Sequence, residues 1–198
     1  MPGFSVTEFT GKLGKLGLAS PNKFKVQFES IPVTDSNSVL NFMCESIDLA
    51  GRQVQSTMEL QYGLRREIAY NAPTYNPVSI TFLCTENMDE KRILDKWNNI
   101  CVDANNKFDV GYYKEYASGK MRVTTLDSSG TVEKYWIEYQ EVWPKSVQSV
   151  NMSHATQNNT LRVVAEFSYA YWTTQDTHSA SNTALNDQVT GVKRPGRP

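Results

Sequence analysis

Three cysteines are the most reactive side chains in this 198-residue sequence, and their spacing limits what they can do. Cys44, Cys84 and Cys101 are far apart, none belongs to a CxxC motif, and no histidine stands near any of them. Zinc sites need closely spaced thiolate or imidazole ligands, so this pattern indicates no metal site. Each cysteine lies in an apolar run, where a free thiol behaves as a small hydrophobic side chain. The sequence therefore predicts unpaired thiols and synthesis in a reducing cytoplasm.

Histidines and carboxylates are the other groups that could do acid–base chemistry. The histidines, His154 and His178, lie in polar segments without the sequence signature of a catalytic triad or a metal site. Carboxylates are plentiful, with Glu133, Glu138 and Glu141 on one predicted strand, and the sequence leaves open whether two of them converge in space. No glycine-rich phosphate-binding motif is present. We expect no catalytic residue, no metal and no cofactor, and interpret the chain as a non-enzyme.

The charge and hydrophobicity of the chain argue against several classes of partner. Lysine and arginine total 20 against 21 acidic residues, a net charge of −1 with neutral histidines. Tight DNA binders usually carry a basic surface, because neutralised phosphates supply most of the affinity. Hydrophobic residues make up 39% of the chain, no run approaches a membrane span, and residues 1–20 lack a continuous apolar stretch. We expect neither specific DNA binding nor membrane association.

Alternation of apolar and polar side chains with a period of two dominates residues 22–171. Phe24, Val26 and Phe28 begin this pattern, which is typical of half-buried strands. It predicts strands at 22–28, 39–47, 66–71, 78–84, 120–127, 132–143, 145–152 and 161–171. Gly130 suits the left-handed position of a hairpin turn, and Pro144 is expected to end a strand. Short strands joined by turns predict a mainly β fold, an antiparallel β-sandwich or barrel.

One segment shows helical spacing instead. Ile93, Leu94 and Trp97 fall on one stripe of a helix, with charged residues on the opposite face. Asn87 is expected to cap this helix, with Glu90 three residues later completing a capping box. The pattern predicts one flanking α-helix near residues 88–101.

The composition changes at both ends of the β region. Residues 1–20 mix apolar side chains with glycines that discourage a helix, whereas residues 173–198 hold five apolar residues and no aromatic one. The latter composition cannot bury enough apolar surface to order itself. We predict an N-terminal arm at 1–20, a β domain at 21–172 and a polar flexible C-terminal tail at 173–198.

Three segments of the β region carry a specific resemblance. PNKFKV at 21–26 opens the first strand, VWPKSV at 142–147 lies near the end, and AEFSYAYW at 165–172 closes the body. Their order and spacing resemble the tail-tube proteins of contractile-tailed (myovirus) bacteriophages, which are related to type VI secretion tube proteins. The resemblance covers roughly residues 20–172 and includes four single residues: Phe42, Cys44, Arg92 and Trp97.

The resemblance implies a β-barrel-like structural subunit with one flanking helix. Six copies would close into a ring, and stacked rings would form the inner tube inside a contractile sheath. The implied partners are further copies of the chain, tail sheath and baseplate proteins, and duplex DNA that passes through the lumen without specific binding. The implied location is the virion tail, assembled in the host cytoplasm. Two alternatives stay open: a type VI secretion-like or baseplate-proximal tube protein, and a ligand-binding β-sandwich module.

Residues 50–65 form the predicted contact between rings. The segment is long for a hairpin loop, and long loops without structure of their own are usually functional. It combines apolar side chains that need cover with arginines that can pair across an interface: Arg52, Val54, Met58, Leu60, Tyr62 and Arg65. The alternative, a loop folded onto its own subunit, stays open.

The N-terminal arm carries too many apolar side chains for a free, solvated terminus. Phe4, Phe9, Leu13, Leu16 and Leu18 stand at irregular spacing among glycines, so they lack a regular helical stripe of their own. We predict that they dock on a neighbouring copy of the chain.

Overall fold

The computed structural model describes residues 6, 10–11, 18–33, 37–61, 63–71, 73–104, 106, 108–154 and 159–175. The described helices are α1 (Asn37–Phe42), α2 (Asp89–Cys101) and α3 (Tyr113–Tyr116). The described strands are β1 (Phe24–Glu29), β2 (Cys44–Ile47), β3 (Arg52–Gln53), β4 (Ser56–Gln61), β5 (Leu64–Ala69), β6 (Thr74–Tyr75), β7 (Val78–Leu83), β8 (Val102–Asp103), β9 (Asp109–Val110), β10 (Gly119–Leu126), β11 (Glu133–Val147), β12 (Arg162–Ser168) and β13 (Tyr171–Thr174). The predicted mainly β class is confirmed, and α2 is the one long helix of the described part.

The chain divides into two compact units. The first contains Met1–Val26, Arg122–Glu138 and Trp172–Pro198, and the second contains Gln27–Met121 and Tyr139–Tyr171.

The second unit is built on the strand order β11–β12–β7–β2. Strand β12 runs antiparallel to β7, and its register places Val163 opposite Phe82 and Phe167 opposite Val78. Strand β2 then pairs antiparallel with the other edge of β7. Because side chains alternate across a strand, the predicted period-two pattern buries one face: Val78, Ile80, Phe82, Val163, Ala165 and Phe167 are all 0% exposed.

Aromatic rings fill the core of this unit. The ring centroid of Phe167 lies 5.5 Å from that of Phe28, 6.4 Å from that of Phe82 and 5.9 Å from that of Trp97 on α2. Burying each such side chain contributes about 1.5–3 kcal/mol, so this cluster is a main source of stability. The stripe predicted from sequence is the buried face of α2, since Ile93, Leu94 and Trp97 are all buried.

The start of α2 differs from the predicted capping box. The cap residue is Met88 in a left-handed backbone conformation, not Asn87, and its own side chain makes no capping hydrogen bond. Instead, the buried Glu90 carboxylate accepts hydrogen bonds from the backbone N–H of Thr85 at 2.9 Å and from its hydroxyl at 3.1 Å. The glutamate therefore fixes the turn that precedes the helix rather than the cap itself.

The predicted strand at 39–47 is wrong in its first half. Residues 37–42 form α1, and only residues 44–47 form a strand. The alternating pattern predicted a strand with Leu40 and Phe42 on the same buried face, but Leu40 is fully buried and Phe42 is 84% exposed. The helix has a structural role, because Asn41 Oδ1 accepts a hydrogen bond from the backbone N–H of Phe28 at 2.6 Å.

Pro144 does not end its strand. Strand β11 continues through it to Val147, and Pro144 is paired with Phe167 of β12. The register shifts between Pro144 and Ser146, so a bulge accommodates the residue that lacks a backbone donor. Of the separate strand predicted at 145–152, residues 145–147 are the end of β11, whereas residues 148–152 form no strand.

The first unit contains parts of β1, β10, β11 and β13, in the hydrogen-bonded order β1–β10–β11 with β13 also on β11. The turn between β10 and β11 places Gly130 at φ 76°, the left-handed conformation predicted for it. The Arg122 guanidinium lies 4.4 Å from the ring centroid of Trp136, a cation–π contact between the two strands.

Candidate assembly surfaces

Among the groups considered for acid–base chemistry, Glu141 and His154 belong to the described part of the chain. The Glu141 carboxylate accepts a hydrogen bond from the Tyr113 hydroxyl at 2.7 Å. Burial is the main cause that raises the pKa of Tyr113 to about 12, and the hydrogen bond to this carboxylate adds to it. The phenol therefore keeps its proton at neutral pH. His154 is exposed, and the described residues contain no group of His, Cys, Asp or Glu side chains arranged to hold a metal ion.

The thiols lie in environments that suppress their reactivity. Burial raises the pKa of Cys44 to about 12 and that of Cys101 to about 11, and it also raises the pKa of Cys84. The nucleophilic form of cysteine is the thiolate, and the raised pKa values favour the protonated thiols near neutral pH. All three cysteines are free, as the sequence predicts.

The segment 50–65 is not an unstructured loop, which corrects the expectation from its length. It contains β3 and β4 together with the beginning of β5, and β4 pairs antiparallel with β5 around Gly63. Gly63 takes a φ of 90°, a conformation that glycine adopts readily. The side chains at 52–59 and 65–69 are exposed, so alternating burial does not mark these strands. We call residues 52–70 the β4–β5 hairpin.

Described side chains of the β4–β5 hairpin are exposed throughout residues 52–59 and 65–70. Among the predicted contact residues, Val54 is 51% exposed and Met58 is 67% exposed. Arg52 and Arg65 are also exposed, and Arg65 is the register partner of Leu60. Tyr62 lies outside the described residues. The hairpin thus presents apolar side chains and arginines on the surface of a single chain.

The predicted arm residues are only partly described. Phe4, Phe9, Leu13 and Leu16 lie outside the described residues, whereas Leu18 is described and is 77% exposed. Leu18 is therefore not covered within the single chain, and docking of the arm on a neighbouring copy stays a prediction.

The outer strand of the second unit is β2, which pairs only with β7 within the described sheet. Arg162 of β12 holds Glu45 of β2 by two hydrogen bonds, at 2.6 Å and 2.9 Å. The hydrogen bond from Arg162 lowers the pKa of Glu45 below its usual range. The free edge of β2 carries backbone groups that a further strand could pair with.

A groove of about 440 Å³ beyond the end of α2 is a surface that sequence reasoning missed. Its walls come from the end of α2, from β8 and β9, and from the start of α3, and its lining includes Asp103, Asp109, Tyr112 and Glu115. Tyr112 is 80% exposed, and Phe108 nearby is 72% exposed. We call this feature the acidic aromatic groove. The alternation of Phe108, Val110 and Tyr112 with other residues was the signal that could have indicated it.

Close packing fixes the shape of the acidic aromatic groove. The backbone N–H of Gly111 donates to the Cys101 carbonyl oxygen at 3.1 Å, and a Cβ at Gly111 would overlap the carbonyl oxygen of Ile100. On the α3 side, the Trp97 indole N–H donates to the Tyr116 carbonyl oxygen at 2.9 Å. Tyr116 in turn packs edge-on against Trp143, with 5.4 Å between ring centroids. The groove is therefore anchored to the core.

The sequence matches a family model described as phage tail tube protein over residues 19–175. No curated protein matches the sequence significantly. The described helices include none that is long and apolar enough to cross a membrane.

Solved structures of contractile injection systems share the fold. A chain of an extracellular contractile injection system, in the PVC sheath–tube complex in the extended state, aligns with a TM-score of 0.57 at 13% identity, covering 87% of this chain and 99% of that one. A chain of the PVC sheath/tube terminator gives 0.60 at 12% identity, covering 81% and 99%. A chain of the anti-feeding prophage baseplate gives 0.59 at 10% identity, covering 82% and 98%. At these identities the similarity establishes the fold.

Proposed function

This chain belongs to the phage tail tube protein family, and from that premise we propose that it assembles into stacked, six-membered rings that form the inner tube of a contractile tail. The observation that carries the proposal is the family match, which spans most of the β region. In this function the protein is structural, has no enzymatic activity and uses no cofactor. It is a component of the virion tail and assembles in the host cytoplasm.

Ring closure requires a heterologous joint, in which one patch of a subunit meets a different patch of the next. The free edge of β2 supports such a joint, because an added strand would satisfy its backbone N–H and C=O groups. Repeating the same joint six times would close the ring.

Ring stacking is proposed to use the β4–β5 hairpin. Its exposed Val54 and Met58 would lose contact with water between rings, and its arginines would pair with carboxylates of the adjacent ring. The proposed contact set is the one expected from the sequence: Arg52, Val54, Met58, Leu60, Tyr62 and Arg65. The proposed arm contacts, Phe4, Phe9, Leu13, Leu16 and Leu18, would secure the joint between copies.

Passage of duplex DNA through the lumen is part of the proposed function. A net charge of −1 supports it, because a strongly basic wall would retain phosphates and slow the movement of DNA. Tail sheath and baseplate proteins are the further proposed partners, in keeping with the kinds of assembly in which proteins of this fold occur.

Electron microscopy of the purified full chain over a range of concentrations tests the proposal. We expect rings with six-fold symmetry and a central lumen, and tubes of stacked rings at higher concentration. Analytical ultracentrifugation of the same samples should give a species of six chains. A protein that stays monomeric throughout, with a ligand-dependent shift in melting temperature, would overturn the proposal in favour of a binding module.

A further inference from the structure

The acidic aromatic groove combines two properties that mark a binding surface. Two of its lining side chains are large, apolar and exposed, Val110 at 67% and Tyr112 at 80%, and Phe108, which precedes the lining residue Asp109, is 72% exposed. Exposed apolar clusters rimmed by polar groups usually mark interaction sites. The groove is also anchored to the core through Gly111 and α3, so a ligand would meet a preformed surface.

The charge of the groove restricts the chemistry of its ligand. Asp103, Asp109 and Glu115 line it, and no basic side chain is among its described lining residues. An aromatic surface with carboxylates favours a ligand that carries cations and flat or rigid apolar groups. Arginine and proline have these properties, because guanidinium pairs with carboxylates and proline rings pack on aromatic side chains.

The chain itself contains a segment of this chemistry. Residues 193–198 read KRPGRP, with three cationic side chains and two prolines, and no acidic residue follows Asp187. Proline-rich segments favour the extended polyproline II conformation, which docks on aromatic-lined grooves at a small entropic cost. Lys193 lies 18 residues after Gln175, a stretch that can span at most about 65 Å, enough to reach a neighbouring molecule.

We propose that the acidic aromatic groove of one copy binds the KRPGRP segment, residues 193–198, of another copy. Carboxylates of the groove pair with the cations of the segment, and Tyr112 packs against its prolines. Such a contact would link copies through their tails in addition to any contact between their β bodies.

Binding of a labelled peptide of residues 188–198 tests this proposal by fluorescence anisotropy. The receptor is the full chain carrying Lys193→Glu, Arg194→Glu and Arg197→Glu, so that its own tail does not compete. We expect saturable binding that weakens as salt is added, because exposed charge pairs are screened. A peptide with the same three charge reversals should not bind.

Variants of the receptor locate the site. Tyr112→Ala and Asp109→Asn should each weaken binding by about tenfold or more, which corresponds to about 1.4 kcal/mol. Phe42→Ala removes an aromatic residue that is 84% exposed outside the groove, and it should leave the affinity unchanged. Circular dichroism checks that each receptor is folded. Absence of saturable binding, or equal affinity for the groove variants and the parent, would overturn the proposal. The measurement uses unassembled protein at low concentration, so its result is independent of whether the chain forms tubes.

Discussion

In the second unit, Gly119 packs closely against the backbone of Val142 and the ring of Trp97. A Cβ at this position would stand 2.8 Å from the Val142 carbonyl oxygen and 3.0 Å from the Trp97 ring, both of which are fixed by their surroundings. Gly119→Ala should therefore lower the free energy of unfolding by about 1–3 kcal/mol, the usual effect of overpacking a core. Urea denaturation below the assembly concentration measures this change.

Gly51→Ala is the matched control, because no atom lies within 4 Å of the added Cβ. It should leave the free energy of unfolding nearly unchanged. Equal stability of the two variants would contradict the close packing at Gly119.

The cysteines lead to a second prediction at this scale. Native protein should resist alkylation by iodoacetamide at pH 8, because the pKa values of Cys44 and Cys101 are raised to about 12 and about 11. Unfolded protein should be alkylated at all three cysteines, as counted by mass spectrometry. Rapid modification of native protein would show that a thiol is accessible and ionised.

The same pKa shifts determine whether the free energy of unfolding rises or falls at alkaline pH. Unfolded thiols ionise near pH 9, whereas the buried native thiols keep their protons to higher pH. The unfolded state then binds fewer protons, so the thiol contribution to stability is complete below pH 9 and is lost as the pH rises toward about 12.

At the scale of elements, the β4–β5 hairpin carries the prediction about assembly. Replacing residues 56–69 with a short Gly/Ser turn should leave a soluble, folded body, because the side chains at 56–59 and 65–69 are exposed. The same change should abolish tube growth in electron microscopy if rings stack through the hairpin. Met58→Asp should have a similar effect, because it places a charge on an apolar contact.

Ser129→Asp is the control for Met58→Asp. It adds the same charge in the exposed turn between β10 and β11, which belongs to the first unit, whereas the hairpin belongs to the second. Tubes of normal length from Ser129→Asp and none from Met58→Asp would support the assignment. Normal tubes from the Met58→Asp protein would exclude the hairpin as the stacking element.

The sequence alone was sufficient to predict the elements that bury one face and expose the other. Strand β7 and helix α2 each have one apolar face against the core, so a period of two and a stripe at helical spacing were sufficient. The pattern failed at α1, because Leu40 is buried in this short helix whereas Phe42, two residues later, is exposed. It failed again at Pro144, because a bulge in the register is a property of the paired strands.

The candidate surfaces were predicted in part for the same reason. Exposed apolar residues at 52–65 could be recognised as needing cover, but the pairing of β4 with β5 depends on the turn at Gly63. The alternation at 108–112 could indicate exposed apolar side chains, but it could not indicate the acidic aromatic groove that they join, because the groove forms only when Gly111 packs against the end of α2. Tertiary contacts, not local spacing, bring its carboxylates to one place.

At the scale of the whole molecule, the features of the chain are those of a repeating subunit. An open sheet edge exposes unpaired backbone groups, and the hairpin exposes apolar side chains. Both favour association with another molecule over a free monomer. In a closed ring and a stacked tube, each of these features would be covered by an identical neighbour. The absence of a basic excess fits a conduit better than a binder of nucleic acid.

The N-terminal arm gives the last prediction. Burying one leucine or phenylalanine contributes about 1.5–3 kcal/mol, whereas fixing the backbone of one residue costs about 1–2 kcal/mol. Docking of the arm is therefore favourable only if several apolar side chains find a groove, and Leu18 is 77% exposed in the single chain. A neighbouring copy would supply that groove at every joint of the tube.

Deleting residues 2–18 should raise the concentration needed for tube growth by more than about tenfold, at little change in melting temperature. Within the full-length arm, Leu13→Ser with Leu16→Ser should act like the deletion, whereas Lys12→Ser with Lys15→Ser should not. Tube growth at the same concentration for the deletion and the full chain, followed by light scattering, would exclude a role of the arm in assembly.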